Sequence, residues 1–86
     1  MTKEEVLELF SADEFTERIE GDNTLEGLNI LSKYTKQDVI AAAEHDIIYS
    51  ADVDDVLEAG ITDDELKRLR ALGFMIEESS YFATFV

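Results

Sequence analysis

The chain has 86 residues, of which 45% are hydrophobic, and it contains no proline and no cysteine. Twenty-one acidic against seven basic side chains give a net charge of −14. This length holds one domain, residues 1–86, and the apolar fraction is too high for a disordered chain. Without cysteine, a disulfide, a thiolate nucleophile and a Cys-ligated metal are excluded. A surface this negative repels nucleic acid and anionic membranes and attracts basic proteins.

The first residues, Met1 to Glu5, have neither the basic region of a signal peptide nor the composition of a transit peptide. No apolar run approaches the length needed to cross a bilayer. We therefore expect a cytoplasmic protein.

Capping signals and periodic apolar residues predict four helices in the first half of the chain. The first begins at a Thr2–Glu5 capping box, and the second begins at a Ser11–Glu14 capping box and ends just before Gly21. The third covers about 24–33, and the fourth begins at Thr35. Their apolar sides are Val6, Leu9 and Phe10 in the first helix, Phe15 and Ile19 in the second, Leu25, Leu28 and Leu31 in the third, and Val39, Ile40 and Ala43 in the fourth.

The second half is predicted to begin with a short strand at 47–49, where β-branched and aromatic residues lie together. A helix over 53–59 should stop at Gly60. A second helix over 62–72, opened by a capping box of Thr62 and Glu65, should stop at Gly73.

The last residues are predicted to form a hairpin of 74–77 and 81–86 around 78–80. If residue 76 pairs with residue 83, five side chains share the core-facing side. They are Phe74, Ile76, Tyr81, Ala83 and Phe85. The expected fold class is α+β, mostly helical, with a small antiparallel sheet made of this hairpin and the strand near 47–49.

From residue 36 onward the predicted order is helix, strand, helix, tight turn, helix and hairpin, with Gly60 in the turn. This order resembles that of a winged-helix domain. The resemblance implies that the second helix of the pair would enter the major groove of DNA. Its first residues here are Asp63, Asp64 and Glu65, whose carboxylates would face phosphates. We therefore expect no direct binding of nucleic acid.

Three segments carry a second resemblance: Glu44-His45-Asp46-Ile47-Ile48-Tyr49, Leu72-Gly73-Phe74, and an aromatic last strand that closes on Phe85-Val86. In these features and in size the chain resembles small acidic proteins encoded by bacteriophages. The resemblance implies an inhibitor of host defence of the anti-CRISPR or anti-restriction type, several of which mimic DNA with carboxylates. It also implies the cytoplasm of a bacterial host.

Two acidic motifs invite a metal or catalytic interpretation. A calcium-binding EF-hand loop beginning at Asp52 would need an oxygen ligand at Val56, glycine at Leu57 and glutamate at Asp63, so the motif fails. We interpret Asp52 as a helix N-cap instead. The single histidine, His45, has no cysteine or nucleophile-elbow serine to activate, and we interpret it as a partly exposed residue near a helix end. We expect no enzyme activity, no cofactor and no metal.

The charge is concentrated in the middle of the chain. Residues 37–66 contain ten acidic residues and no lysine or arginine, whereas residues 67–86 carry a net charge of +1. A solubilising surface needs less charge than this, but a surface that only keeps the protein in solution stays open as an interpretation beside a functional one. One interpretation is a surface that presents carboxylates to a basic partner protein, such as a nucleic-acid-binding enzyme. The candidate partner-binding residues are Asp52, Asp54, Asp55, Glu58, Asp63, Asp64 and Glu65.

The alternative interpretation is a regulatory domain, of the antitoxin or transcription-accessory type, that binds a protein partner through an apolar surface. The candidate is the side of the hairpin that faces away from the predicted core. It would present Met75, Phe82 and Val86.

Overall fold

A computed structural model describes residues 1–11, 23–35, 38–44 and 47–85. The predicted helix from Ser11 to Gly21 lies almost entirely outside these ranges, as do His45 and Val86. The described residues form an α+β domain, as predicted. None of their helices is long and apolar enough to span a membrane. The helices are α1 (Lys3–Ser11), α2 (Asn23–Ser32), α3 (Val53–Glu58) and α4 (Asp63–Ala71), and the strands are β1 (Ala42–Glu44), β2 (Ile47–Asp52), β3 (Met75–Glu77) and β4 (Tyr81–Phe85).

The four strands form one antiparallel sheet in the order β1-β2-β4-β3. Helices α1, α2 and α3 contact the sheet, and α4 packs against α1 and α2. The apolar side chains between these layers are fully buried and form one core, which supplies most of the driving force for folding. Its largest members are Phe74, Phe82, Leu31, Leu66, Leu69, Val6, Val53 and Val56.

The prediction of a fourth helix beginning at Thr35 is wrong. Residues 42–44 are strand β1, which pairs with β2. The amide of Ala41 donates to the carbonyl of Tyr49 over 2.8 Å, and the Ser50 hydroxyl donates to the carbonyl of Val39. Pairing with β2 thus overrides the helical spacing of Val39, Ile40 and Ala43, because local propensity is a weak signal against tertiary contacts. Of the winged-helix order, the strand, the two helices and the hairpin are present, but the first helix is not.

The predicted pairing of residue 76 with residue 83 is also wrong, by one position. Ile76 pairs with Phe82, and Glu77 pairs with Tyr81. Because side chains alternate between the two sides of a strand, this shift exchanges the faces of β4. Phe82 lies in the core, with its ring edge-on to Phe10 and 5.5 Å between centroids. Tyr81 and Phe85, which we placed on the core side, are 38% and 64% exposed.

The turn of the hairpin explains this register. Glu78 and Ser79 have φ angles of 55° and 56°, in the left-handed region, and the Ser80 amide donates to the carbonyl of Glu77 over 3.0 Å. Such a turn suits the right-handed twist of paired strands, but its usual sequence contains Asn and Gly. The residues here, Glu-Ser-Ser, are not typical of this turn, so the sequence does not determine how β3 and β4 are paired.

The ends of α3 and α4 match the predicted capping signals. Thr62 and Glu65 form a complete capping box at the start of α4. Gly60 and Gly73 follow the two helices with φ angles of 98° and 92°. Each helix closes with the paired hydrogen bonds of a Schellman motif, in which Phe74 donates to the carbonyl of Leu69 over 3.1 Å at the end of α4.

Helix α2 packs through a glycine, which differs from the predicted apolar side. Leu31 is buried as expected, but Leu25 is 60% exposed. The buried position one turn before Leu31 is Gly27, where the ring of Phe74 lies against the helix backbone. A β-carbon at Gly27 would approach one ring carbon of Phe74 to 2.1 Å. The close approach of α2 to the core therefore requires glycine at this position.

Gly27→Ala is expected to lower the free energy of unfolding by about 1–2 kcal/mol, because overpacking costs about 1–3 kcal/mol and exceeds the gain in helix propensity. Thermal or urea unfolding measures the change. Asn29→Ala is the control, since Asn29 is exposed on the same helix, and it should not destabilise. Phe74→Leu should reduce the cost of Gly27→Ala when the two are combined. A Gly27→Ala variant that melts at or above the parent temperature would contradict the contact.

Candidate functional site

All but one of the acidic candidates lie at the starts of α3 and α4, and the fold places these two starts close together; the exception, Glu58, is the last residue of α3. The amino group of Met1 donates to Asp63 Oδ1 over 2.9 Å, and Lys3 Nζ donates to Asp54 Oδ2 over 3.0 Å. Met1 and Lys3 are only two positions apart in the chain. The start of α1 therefore lies between the first turns of α3 and α4, and the acidic ends of both helices share one region of the surface.

Asp52 acts within the fold. Its Oδ1 accepts hydrogen bonds from the amides of Asp54 and Asp55, at 2.8 and 3.2 Å. It is thus the N-cap of α3, as its alternative interpretation predicted. A side chain with this role is already engaged by backbone amides and is removed from the candidate contact residues.

Glu65 also acts within the fold, and it connects α4 to the end of α2. Its Oε2 accepts from Lys33 Nζ over 2.6 Å, and its Oε1 accepts from the Tyr34 hydroxyl. The same Oε1 accepts from the amide and the hydroxyl of Thr62, at 3.2 and 3.0 Å. Only 19% of the Glu65 side chain is exposed. The sequence predicted the capping box, but not the contacts with Lys33 and Tyr34.

These contacts set the ionisation of Glu65. The hydrogen bond from Lys33, followed by those from Tyr34 and Thr62, lowers the pKa of Glu65 from its usual 4.5 to about 2. The same carboxylate raises the pKa of Lys33 and of Tyr34. Because the folded pKa of Glu65 is lower than the unfolded one, its stabilising effect is complete above the unfolded value and is lost as the pH falls toward about 2.

Glu65→Gln is expected to lower the free energy of unfolding near neutral pH by about 1–3 kcal/mol, because charge-assisted hydrogen bonds are replaced by weaker ones. The difference from the parent should shrink as the pH falls from about 5 toward about 2. Urea unfolding across this range measures both effects. Asp64→Asn, at an exposed neighbouring position, should show a much smaller difference. A Glu65→Gln difference that does not change with pH would contradict the assignment.

Five acidic candidates remain exposed, and three of them also have no described partner. Within the part of the chain that the structure describes, Asp55, Glu58 and Asp64 have no hydrogen-bond or ion-pair partner for their side chains. Asp54 and Asp63 are paired, but their side chains are still 62% and 60% exposed. We call these five residues the acidic surface.

The basic residues of the last third are largely engaged. Arg68 donates from Nε and Nη2 to the two carboxylate oxygens of Glu26, at 2.6 and 3.0 Å. This contact and the one between Lys33 and Glu65 show that α2 and α4 run antiparallel. Arg70 is half-buried and also has an interaction partner, whereas Lys67 is exposed. The run of Lys67, Arg68 and Arg70 therefore does not form one exposed basic surface.

The hairpin register determines which of the apolar candidate residues are buried and which are exposed. Phe82 is fully buried, so its assignment to an exposed contact surface is wrong. Met75 is half-buried, and Val86 lies outside the described residues. The exposed aromatic side chains of β4 are Tyr81 and Phe85 instead. Alternation along β4 showed that one of the two sets must face outward, but only the turn geometry decides which.

A groove of about 300 Å³ lies between α1 and β3. Its lining is apolar or carries hydroxyl groups, with no titratable side chain: Leu7, Phe10, Ser11, Met75, Ile76 and Ser79. Among the described residues, no group of three or more His, Cys, Asp or Glu side chains could hold a metal ion.

Comparisons with known protein families, with curated proteins and with solved structures give no match. The assignment of function therefore rests on the charges and contacts of the molecule itself.

Proposed function

We propose that this protein is a non-catalytic binding protein that presents carboxylates to a basic protein partner, in the place of nucleic-acid phosphates. The observation that carries the proposal is the acidic surface. It gathers exposed carboxylates from the first turns of α3 and α4 and from the last residue of α3, Glu58, within a segment that has no lysine or arginine.

The arrangement suits a partner that binds anions. Asp55 and Glu58 are three positions apart on α3, which places their β-carbons about 5–6 Å from each other. Asp64 adds an exposed carboxylate in the first turn of α4. Arginine binds carboxylate and phosphate through the same pair of parallel hydrogen bonds. A protein surface that holds nucleic acid through arginine and lysine can therefore hold these carboxylates.

The internal ion pairs make such a surface tolerable to the fold. Met1 and Lys3 reduce the repulsion between Asp54 and Asp63, and both carboxylates keep most of their exposure. The net charge of −14 also attracts a basic partner over a distance and favours fast association at low salt.

A second candidate function is a regulatory domain that binds through an apolar surface. The exposure of Tyr81 and Phe85 favours it, because exposed aromatic side chains are enriched in protein interfaces. The two functions are compatible when one partner contacts both surfaces.

The test removes three charges from the acidic surface by Asp55→Asn, Glu58→Gln and Asp64→Asn. These side chains have no described partner, so we expect the free energy of unfolding to change by less than about 1 kcal/mol.

A partner is first captured from a bacterial lysate on the immobilised protein and released by salt. Its affinity for the triple variant should fall by about tenfold or more at 0.15 M salt, mainly through slower association.

A matched control removes three charges outside the acidic surface, by Glu8→Gln, Asp38→Asn and Glu44→Gln, and reaches the same net charge. It should weaken the same partner much less. If the two triple variants bind equally, only the overall charge matters. If the first triple variant binds as tightly as the parent, the acidic surface is not the contact and the proposal is wrong.

A further inference from the structure

The outward side of the sheet is apolar and aromatic. Residues that pair across neighbouring strands share a side of the sheet, and three pairings connect Phe85 to Ile47, and Ala83 to both Tyr49 and Met75. Tyr81 lies on the same side by alternation along β4. We call this set the outer sheet face: Ile47, Tyr49, Met75, Tyr81, Ala83 and Phe85.

Two members of the outer sheet face project into solvent. Phe85 is 64% exposed and Tyr81 is 38% exposed. They are four positions apart, which is about 13 Å along a strand. Aromatic side chains bury a large area in protein interfaces. Met75 pairs with Ala83, which lies between Tyr81 and Phe85 on β4, so the three side chains together could hold one helix or strand of a partner protein.

The acidic surface continues into this face at Tyr81. The Cα partners of Tyr81 in the sheet are Glu77 on one side and Asp52 on the other. The amide of Val53 donates to the carbonyl of Ser80 over 2.7 Å, so the hairpin turn lies against the start of α3. The exposed carboxylates of Asp54 and Asp55 follow directly along that helix.

The charge of the protein identifies the class of occupant. A second copy of this chain would bring two net charges of −14 together, and its own carboxylates would meet those beside Tyr81. A basic segment of a partner protein would instead be attracted to these carboxylates. Its lysine or arginine side chains would contact Asp54, Asp55 and Glu77, and one of them could lie over the ring of Tyr81.

We propose that the outer sheet face binds a basic amphipathic helix of a partner protein, with the apolar stripe of the helix on Phe85, Met75 and Tyr81 and its positive flank on the acidic surface. A helix is the element that packs on one side of a sheet in two-layer folds. A stripe of apolar residues with lysine or arginine beside it provides both contacts at once. This inference rests on the proposed function and names the element that the partner supplies.

The probe is a synthetic amphipathic helix of leucine and lysine, with the leucines on one side. Calorimetry at 0.15 M salt measures its affinity. Tyr81→Ser with Phe85→Ser should weaken binding by about tenfold or more. Leu25→Ser is the matched control, because Leu25 is 60% exposed but lies on α2, and it should leave the affinity unchanged. Amide chemical shifts of the parent protein, which need no variant, should change along β3 and β4 when the peptide is added.

Two further peptides test the class of partner. A peptide of the same composition with the leucines scattered around the helix should bind at least about tenfold more weakly, and equal binding would overturn the amphipathic requirement. A peptide with glutamine in place of lysine should also bind more weakly, and equal binding would overturn the basic requirement. Sedimentation should show a monomer, since a dimer dispersed by Tyr81→Ser with Phe85→Ser would assign the face to a second copy.

The acidic triple variant separates this inference from the proposed function. Weaker peptide binding by both the triple variant and the Tyr81 and Phe85 variant supports both. If only the triple variant binds more weakly, the proposed function stands and the outer sheet face is not the site. If only the Tyr81 and Phe85 variant does, the outer sheet face stands and the acidic surface does not. Parent-like affinity of both overturns both.

Discussion

Ion pairs between segments that are distant in the sequence offset the charge repulsion within this acidic chain. The acidic middle of the sequence has no lysine or arginine, so its balancing charges must come from elsewhere. Met1 and Lys3 at the start of α1 and Lys33 after α2 all reach the first turns of α3 and α4. Exposed ion pairs contribute only up to about 1 kcal/mol each. The apolar core therefore stabilises the fold, and the ion pairs offset the repulsion that the sequence builds into it.

The acidic residues of the middle segment therefore divide into two groups: those whose side chains are hydrogen-bonded within the fold and those whose side chains are exposed. Asp52 and Glu65 accept hydrogen bonds from backbone amides, hydroxyls and a lysine, and their charge is used inside the fold. Asp55, Glu58 and Asp64 are exposed and have no described partner. Acid content alone does not separate these groups, because all five lie in the same charged stretch. Burial and hydrogen bonding separate them.

Local signals in the sequence were sufficient for the parts of the fold that local interactions determine. The cap at Thr62, the glycine stops at Gly60 and Gly73 and the N-cap at Asp52 each depend on residues within one or two turns, and each was predicted. The second helix of the chain remains a prediction, because it lies almost entirely outside the described residues.

Features that depend on distant partners were missed. Strand β1 exists because β2 pairs with it, and the outward position of Phe85 depends on a turn with two left-handed residues that are not glycine. Gly27 is a core position only because Phe74 packs on it. The outward side of the hairpin was therefore predicted with the wrong aromatic side chain, because Phe82 is buried and Phe85 is exposed.

The function proposed here depends on carboxylates that occupy the place of phosphates, and competition with DNA tests that claim most directly. The complex with a partner captured by salt-reversible binding is titrated with a short DNA duplex that the partner binds alone. We predict that the duplex displaces the protein from the partner. The duplex concentration at half displacement should be the one expected when DNA and protein compete for the same partner surface with their separately measured affinities. A stable ternary complex, in which partner, duplex and protein are bound together, would contradict the account.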